Sequence, residues 1–282
     1  MHDQASELRE LVRKGALPAS GPTSRRPKLL VVGGGRAGVG TTTIAVNLAA
    51  ALARARRRTL LADAATEGAA AVLSRVEAVD PLGSAVAERR TARDPLDPGP
   101  RGLERLLAAR GCDKAPPPAR RVGERRTGEM RGPHGVAEYV VVDAGSGVGP
   151  LARQLWQSAD LILLVTTPEP LAVMDAYASI KLLASPRDAS PDGPPPIHTL
   201  VNRSPGRAIA RQVHARLSQA CLRFLGMEIK GVGFIADDPR MADGDGWGSP
   251  VVLRAPRCRF ARAIRALGRT VLRRTSQTAV TR

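Results

Sequence analysis

Apolar and polar positions along the chain alternate between two rhythms. Short apolar runs occur at 29–32, 59–62, 139–142, 161–166, 197–201 and 231–235, and each reads as a strand. The run at 29–32, Leu-Leu-Val-Val without a polar break, predicts a strand buried on both faces of a parallel sheet. Between or after these runs, helical spacing appears at 42–55, 151–158, 172–183, 208–225 and 259–273. Strands alternating with helices predict an α/β fold: a mainly parallel central sheet flanked by helices in three layers. No internal repeat interrupts that order.

The ends and the middle of the chain break the rhythm. Residues 3–14 predict a short amphipathic helix, with Asp3 as N-cap and Leu8, Leu11 and Val12 at helical spacing. Residues 15–28 contain Pro18, Gly21, Pro22 and Pro27 and read as a flexible linker. The main domain is expected over 29–275, with 276–282 as a tail. Within it, 74–135 is poorly patterned: only 103–109 has helical spacing, and 111–135, with Pro116, Pro117, Pro118 and two arginine pairs, is expected to be a mobile loop. A second Pro/Gly/Ser/Asp-rich connection covers 185–196. In the last helix, Phe260, Ile264, Leu267 and Val271 form an apolar stripe among arginines. Two readings stay open there: a helix packed on the sheet, which is preferred, and a helix lying on an anionic membrane surface.

Composition narrows the classes. Across 282 residues, Lys+Arg number 43 against 26 Asp+Glu, a formal charge of +17, yet only five of the cations are lysine. Phe, Trp and Tyr together number seven, so the core must be built from Ala, Val, Leu and Ile. The longest apolar runs fall far short of the roughly 20 residues of a membrane span. After Met1-His2-Asp3-Gln4 no basic segment is followed by an apolar one, so a signal peptide is not expected. Three scattered cysteines form neither a disulfide framework nor a zinc pair and fit a reducing cytosol, and the four histidines share no metal-ligand spacing. The charge suits nucleic acid or an anionic surface, but it equally suits arginine replacing lysine throughout. Because the arginines are spread out, DNA is not an expected partner.

Chemistry concentrates after the first strand, at Gly33-Gly34-Gly35-Arg36-Ala37-Gly38-Val39-Gly40-Thr41-Thr42-Thr43. A phosphate-binding loop reads G-x-x-x-x-G-K-[ST] between a strand and a helix. Gly35, Gly40 and Thr42 match, but Thr41 stands at the lysine position. Glycines let backbone N–H groups converge on phosphates, and the helix N-terminus adds partial positive charge. Thr42 is positioned for Mg²⁺ and Thr43 for an α-phosphate. Taken alone, the loop also reads as a glycine-rich turn without a ligand. Asp63 and Asp143 end two other strands, where α/β sheets bind ligands. Asp143 is placed to hold a Mg²⁺ water.

From Gly34 through Thr43 and on to Ile44-Ala45-Val46-Asn47-Leu48-Ala49, the chain resembles the deviant Walker A motif of MinD/ParA-type P-loop ATPases. Four further segments are similar to FlhG proteins, the flagellar-number regulators of that family. They are Tyr139 to Gly147, Thr166-Thr167-Pro168-Glu169-Pro170 through Asp175-Ala176-Tyr177 and Lys181, Val201-Asn202-Arg203, and Asp3-Gln4-Ala5-Ser6-Glu7-Leu8-Arg9. The resemblance implies a P-loop NTPase fold and ATP or ADP with Mg²⁺ as cofactors. It implies nucleotide contacts from Gly35, Arg36, Ala37, Gly38, Val39, Gly40, Thr41, Thr42 and Thr43, with adenine read by Asn202 and Asp237. It gives Asp63 a catalytic role and Thr42 and Asp143 the metal. It also implies an ATP-dependent homodimer. Asp3, Gln4, Leu8 and Arg9 would engage and stimulate an FlhF-type GTPase. Location is expected to be cytoplasmic, peripheral at the inner face of the cell membrane if the last helix meets lipid.

The departures from the family pattern set the activity expected. The signature lysine falls on Arg36, which keeps charge but not ammonium geometry. A family glycine is Ala37, the Walker lysine is Thr41, the water-positioning aspartate is Ala65, and the adenine-loop proline is Ala236. Losing one preorganised electrostatic contact typically costs ~3–4 kcal/mol of barrier, or ~10²–10³ in rate. Nucleotide binding with weak or absent hydrolysis is therefore expected. The other readings are a nucleotide-independent adaptor and a ParA-like DNA-partition or pilus-placement protein.

Overall fold

The computed structural model describes residues 28–65, 103–108, 138–184, 195–241 and 249–277. In chain order they form β1 (Lys28–Gly34), α1 (Thr41–Arg54), β2 (Thr59–Asp63), β3 (Leu103–Ala108), β4 (Tyr139–Ser146), α2 (Pro150–Ser158), β5 (Leu161–Thr166), α3 (Pro170–Leu183), β6 (Ile197–Ser204), α4 (Arg207–Leu225), β7 (Lys230–Ala236), α5 (Val251–Arg254) and α6 (Arg259–Gln277). The seven strands make one sheet in the order β3-β2-β4-β1-β5-β6-β7. Every pairing is parallel, so all strands end at the same edge.

The unbroken apolar run of β1 follows from its central place. Leu30 and Val32 face one apolar cluster, with α1, α5 and α6. Leu29 and Val31 face the other, with Trp156 of α2 and Ile180 of α3. A strand covered on both faces has no solvent side to leave polar. Helix α1 is alanine-rich because it is enclosed: eleven of its residues, from Thr41 to Ala53, are buried. Opposite Ala51, Leu48 and Leu52, α6 carries Gly268, where an added Cβ would come to about 4 Å of all three. Small residues on both helices thus set a close crossing.

Two expectations meet the structure here. Of the segment 103–109, patterned for a helix, the described residues 103–108 are instead strand β3 at the sheet edge, paired with β2 from Thr59↔Leu103 to Asp63↔Ala108. Leucines at 103, 106 and 107 fit one helix face, but a run this short is ambiguous, and β2's open hydrogen-bonding edge decides it. The stripe of α6 follows the packed reading: Phe260, Ile264, Leu267 and Val271 are all at most 3% exposed, inside the core with α1. Among the described residues no helix is long and apolar enough to cross a membrane. The predicted leader helix, linker residues 15–27 and the 111–135 loop lie outside the described residues; Lys28, the last linker position, already opens β1, where it pairs with Tyr139.

Candidate functional site

The loop between β1 and α1 is built by its glycines. Gly38 and Gly40 have φ of 83° and 94°, in the left-handed region where a side chain would be strained. Gly35 lies so close to the backbone of Asp175 and Ala176 that any Cβ would collide with α3. A Cβ on Gly34 would sit 2.6 Å from the Thr41 hydroxyl. Asn202, at the end of β6, holds the loop from the other side: its Nδ2 donates to the Val39 carbonyl at 2.8 Å, in the space an added Cβ on Gly40 would occupy. Helix α1 then starts with no side-chain cap and no acidic residue in its first turn. Its first N–H groups and its dipole are therefore left to meet an anion.

Beside the loop stand two carboxylates. The parallel register of β2 and β4 puts Asp63 directly opposite Asp143, and both are fully buried. The Asp63 Oδ1 accepts the Ala65 N–H at 3.0 Å, and the Asp143 Oδ1 accepts the Gly145 N–H at 3.0 Å. The second Asp143 oxygen, Oδ2, is buried without a hydrogen-bond partner. Burial pushes the Asp143 pKa up to about 6; the Thr42 hydroxyl and the Gly145 N–H pull it down, and the negative charge of Asp63 adds to the rise. A buried, unpartnered carboxylate oxygen beside a second carboxylate and a threonine hydroxyl is costly unless a cation compensates it. Thr42 and Asp143 therefore fit a hard divalent cation such as Mg²⁺, which takes few protein oxygens and keeps its waters.

The remaining expected residues fall around this centre. Arg36 does not reach back over its own loop: its Nε lies 3.8 Å from Asp175 Oδ2 on α3, both side chains about two-fifths exposed. Ala37 is exposed and Thr41 buried, with Thr42 and Thr43 between. Ala65 lies beside the β4 end, its Cβ 3.1 Å from where a Cβ of Gly145 would be. Asp237 is exposed, just beyond β7, whose Ala236 pairs with Ser204 of β6. Asp3, Gln4, Leu8 and Arg9 are outside the described residues. Two contributors carried no role in the sequence. Asp175 belongs to a recognisable segment, but its ion pair depends on how α3 meets the loop. Asn47 donates from Nδ2 to the Thr43 carbonyl and accepts the Val252 N–H at Oδ1, tying α1 to α5 across 205 residues of chain.

The chain is similar to known proteins in family and in fold. The family described as CobQ/CobB/MinD/ParA nucleotide binding domain matches residues 30–251. The antiactivator FleN of Pseudomonas aeruginosa is 30% identical over 248 residues, 86% of each chain. The flagellum site-determining protein YlxH of Helicobacter pylori is 41% identical over 51 residues, 18% of this chain and 17% of its own. Among solved structures, a chain of the MinC:MinD cell division protein complex of Aquifex aeolicus superposes with a TM-score of 0.68 at 24% identity, covering 87% of this chain and 95% of its own. MinD of Pyrococcus horikoshii, solved with Mg-ADP, gives 0.67 at 22% identity, covering 87% and 96%. At those identities the structural likeness speaks for the fold. Family match, FleN relative and P-loop architecture converge: this chain belongs to the CobQ/CobB/MinD/ParA nucleotide-binding family and is an FlhG-like member of it with a degenerate Walker A motif.

Proposed function

We propose that the protein is an ATP-binding switch or scaffold that governs flagellar number or placement, with weak or absent ATP hydrolysis. The observation that carries this reading is an anion- and cation-ready site from which two hydrolytic parts are missing. The uncapped start of α1 and the backbone of Gly35 to Thr43 would cradle the phosphates of ATP or ADP. Thr42 and Asp143 would hold Mg²⁺, which neutralises phosphate charge when bound. By the family resemblance, Asn202 and Asp237 would read adenine. Asp63 would act on a water at the phosphate end, but Ala65 offers no second carboxylate to orient it. The buried Thr41 hydroxyl rests against Gly34, where the Walker lysine would otherwise start. Binding rests on backbone groups that remain; turnover rests on side chains that are gone.

The flagellar assignment rests on the names and similarity of FleN and YlxH. By the family resemblance, an ATP-dependent homodimer forms on the phosphate-loop face, and Asp3, Gln4, Leu8 and Arg9 engage an FlhF-type GTPase. The protein would act in the cytoplasm, peripherally at the inner membrane face. One observation favours a second reading, a nucleotide-independent adaptor: Arg36, the cation carried by the loop itself, is paired with Asp175.

Steady-state ATP turnover of the wild type and of Thr41→Lys/Ala65→Asp tests the catalytic half. We expect little turnover from the wild type and a rise of at least about tenfold in the variant. Wild-type turnover at the rate of an intact family member, or no gain in a folded variant, would overturn it. The partner half is tested by adding the protein to an FlhF-type GTPase. GTP hydrolysis should rise, and Gln4→Ala should abolish the rise; equal stimulation by both proteins refutes the role of the leader.

A further inference from the structure

A second concave surface lies at the same end of the sheet, between the turn after β7 and the start of α6. It is a pocket of about 450 Å³ lined by Asp238, Arg240, Arg257, Cys258, Arg259 and Arg262, together with Pro239. That volume is the size of a small-ligand site. No residue of the phosphate loop lines it.

Among the described residues, little compensates the charge of this pocket. Arg240, Arg257, Arg259 and Arg262 are all exposed, and among the described residues none forms an ion pair; the pairs seen involve Lys28, Arg36, Arg57 and Arg58. Asp238 is the lone carboxylate among the described lining residues; both its oxygens accept backbone N–H groups, and the Arg240 charge and the Cys258 thiol also act on it. Oδ2 accepts the Phe260 N–H at 3.1 Å, at the first turn of α6, and Oδ1 accepts the Arg240 N–H at 3.3 Å. Cys258 is buried, and its sulfur accepts the Ala261 N–H. Arginine replacing lysine throughout the chain explains a scattered positive surface. It does not explain four arginines lining one concavity whose lone acid, among the described residues, is turned inward as a helix cap.

We propose that this pocket is an anion site, separate from the phosphate loop, for a compact ligand carrying two or more phosphate groups. Guanidinium forks match phosphate oxygens two at a time. Among the described residues, four arginines against one carboxylate leave about three positive charges, more than a single phosphate dianion neutralises. A concave pocket of this size takes the end of a small oligophosphate, whereas duplex DNA needs an extended row of contacts along its backbone.

Titration calorimetry with inorganic tripolyphosphate, in low salt without divalent cations, tests the proposal on the full chain. Arg257→Ser/Arg262→Ser removes two pocket charges. Arg269→Ser/Arg273→Ser removes the same charge farther along α6. Circular dichroism checks that both variants fold, as exposed positions allow. The pocket pair should weaken tripolyphosphate binding by about tenfold or more, and the control pair by less than about twofold. Equal weakening by both pairs would show a diffuse charge effect and overturn the site. No weakening by the pocket pair would assign the anion to the phosphate loop and overturn the site as well. Absence of tripolyphosphate binding, with duplex DNA binding that the pocket pair reduces, would replace the proposal with a nucleic-acid surface.

Discussion

Asp143 carries a charge that the folded apo protein has little means to stabilise. Its folded pKa of about 6 lies above the ordinary 3.8. The folded state thus binds a proton more tightly than the unfolded state, and stability falls as pH rises from about 4 to about 6. The size is on the order of 3 kcal/mol. Urea melts of the apo protein across this window, compared with Asp143→Asn, should show the wild type losing stability relative to the variant as pH rises. Mg²⁺ should reduce that loss. Parallel curves would refute the buried-charge account. Residue identity at this site is largely legible in the sequence, because an aspartate at the end of an apolar strand has few roles. The pairing of Arg36 with Asp175 is not legible. It depends on Gly35 seating against α3, and no spacing along the chain encodes that contact.

Helix α6 shows what periodicity resolves and what it leaves open. Its apolar stripe is plain at spacings of four, three and four, yet the same stripe suits a protein core or a lipid surface. The structure places it against α1, with Ile264 fully buried. Ile264→Ala should therefore cost about 2–5 kcal/mol of unfolding free energy, read by chemical denaturation. A change below about 0.5 kcal/mol would mean the stripe is not core, and the membrane reading would return. Strand β3 is the opposite case. Its six residues carry a weak helical pattern, and only pairing with β2 makes them a strand. Short elements at a sheet edge are decided by their neighbour, so local pattern points the wrong way there.

At the scale of the whole molecule, function follows from strand order. Placing β1 between β4 and β5 brings the glycine loop beside Asp143, and β2 next to β4 adds Asp63. Asn202 arrives from β6, one strand beyond β5, and reaches the loop from the far side. Segments separated by as many as 163 residues thus meet at one carboxyl edge, where parallel α/β sheets bind ligands. Alternation of strands and helices foretells the layers and that edge, but not the order of strands along it. The central claim is that this edge still binds nucleotide although its lysine is gone. Thermal unfolding with and without millimolar MgATP tests that claim most directly. Ligand at about 100 times its Kd should stabilise the protein by about 2.7 kcal/mol and raise the midpoint by a few degrees. A midpoint that does not move at any MgATP concentration up to several millimolar would contradict it and leave the adaptor reading.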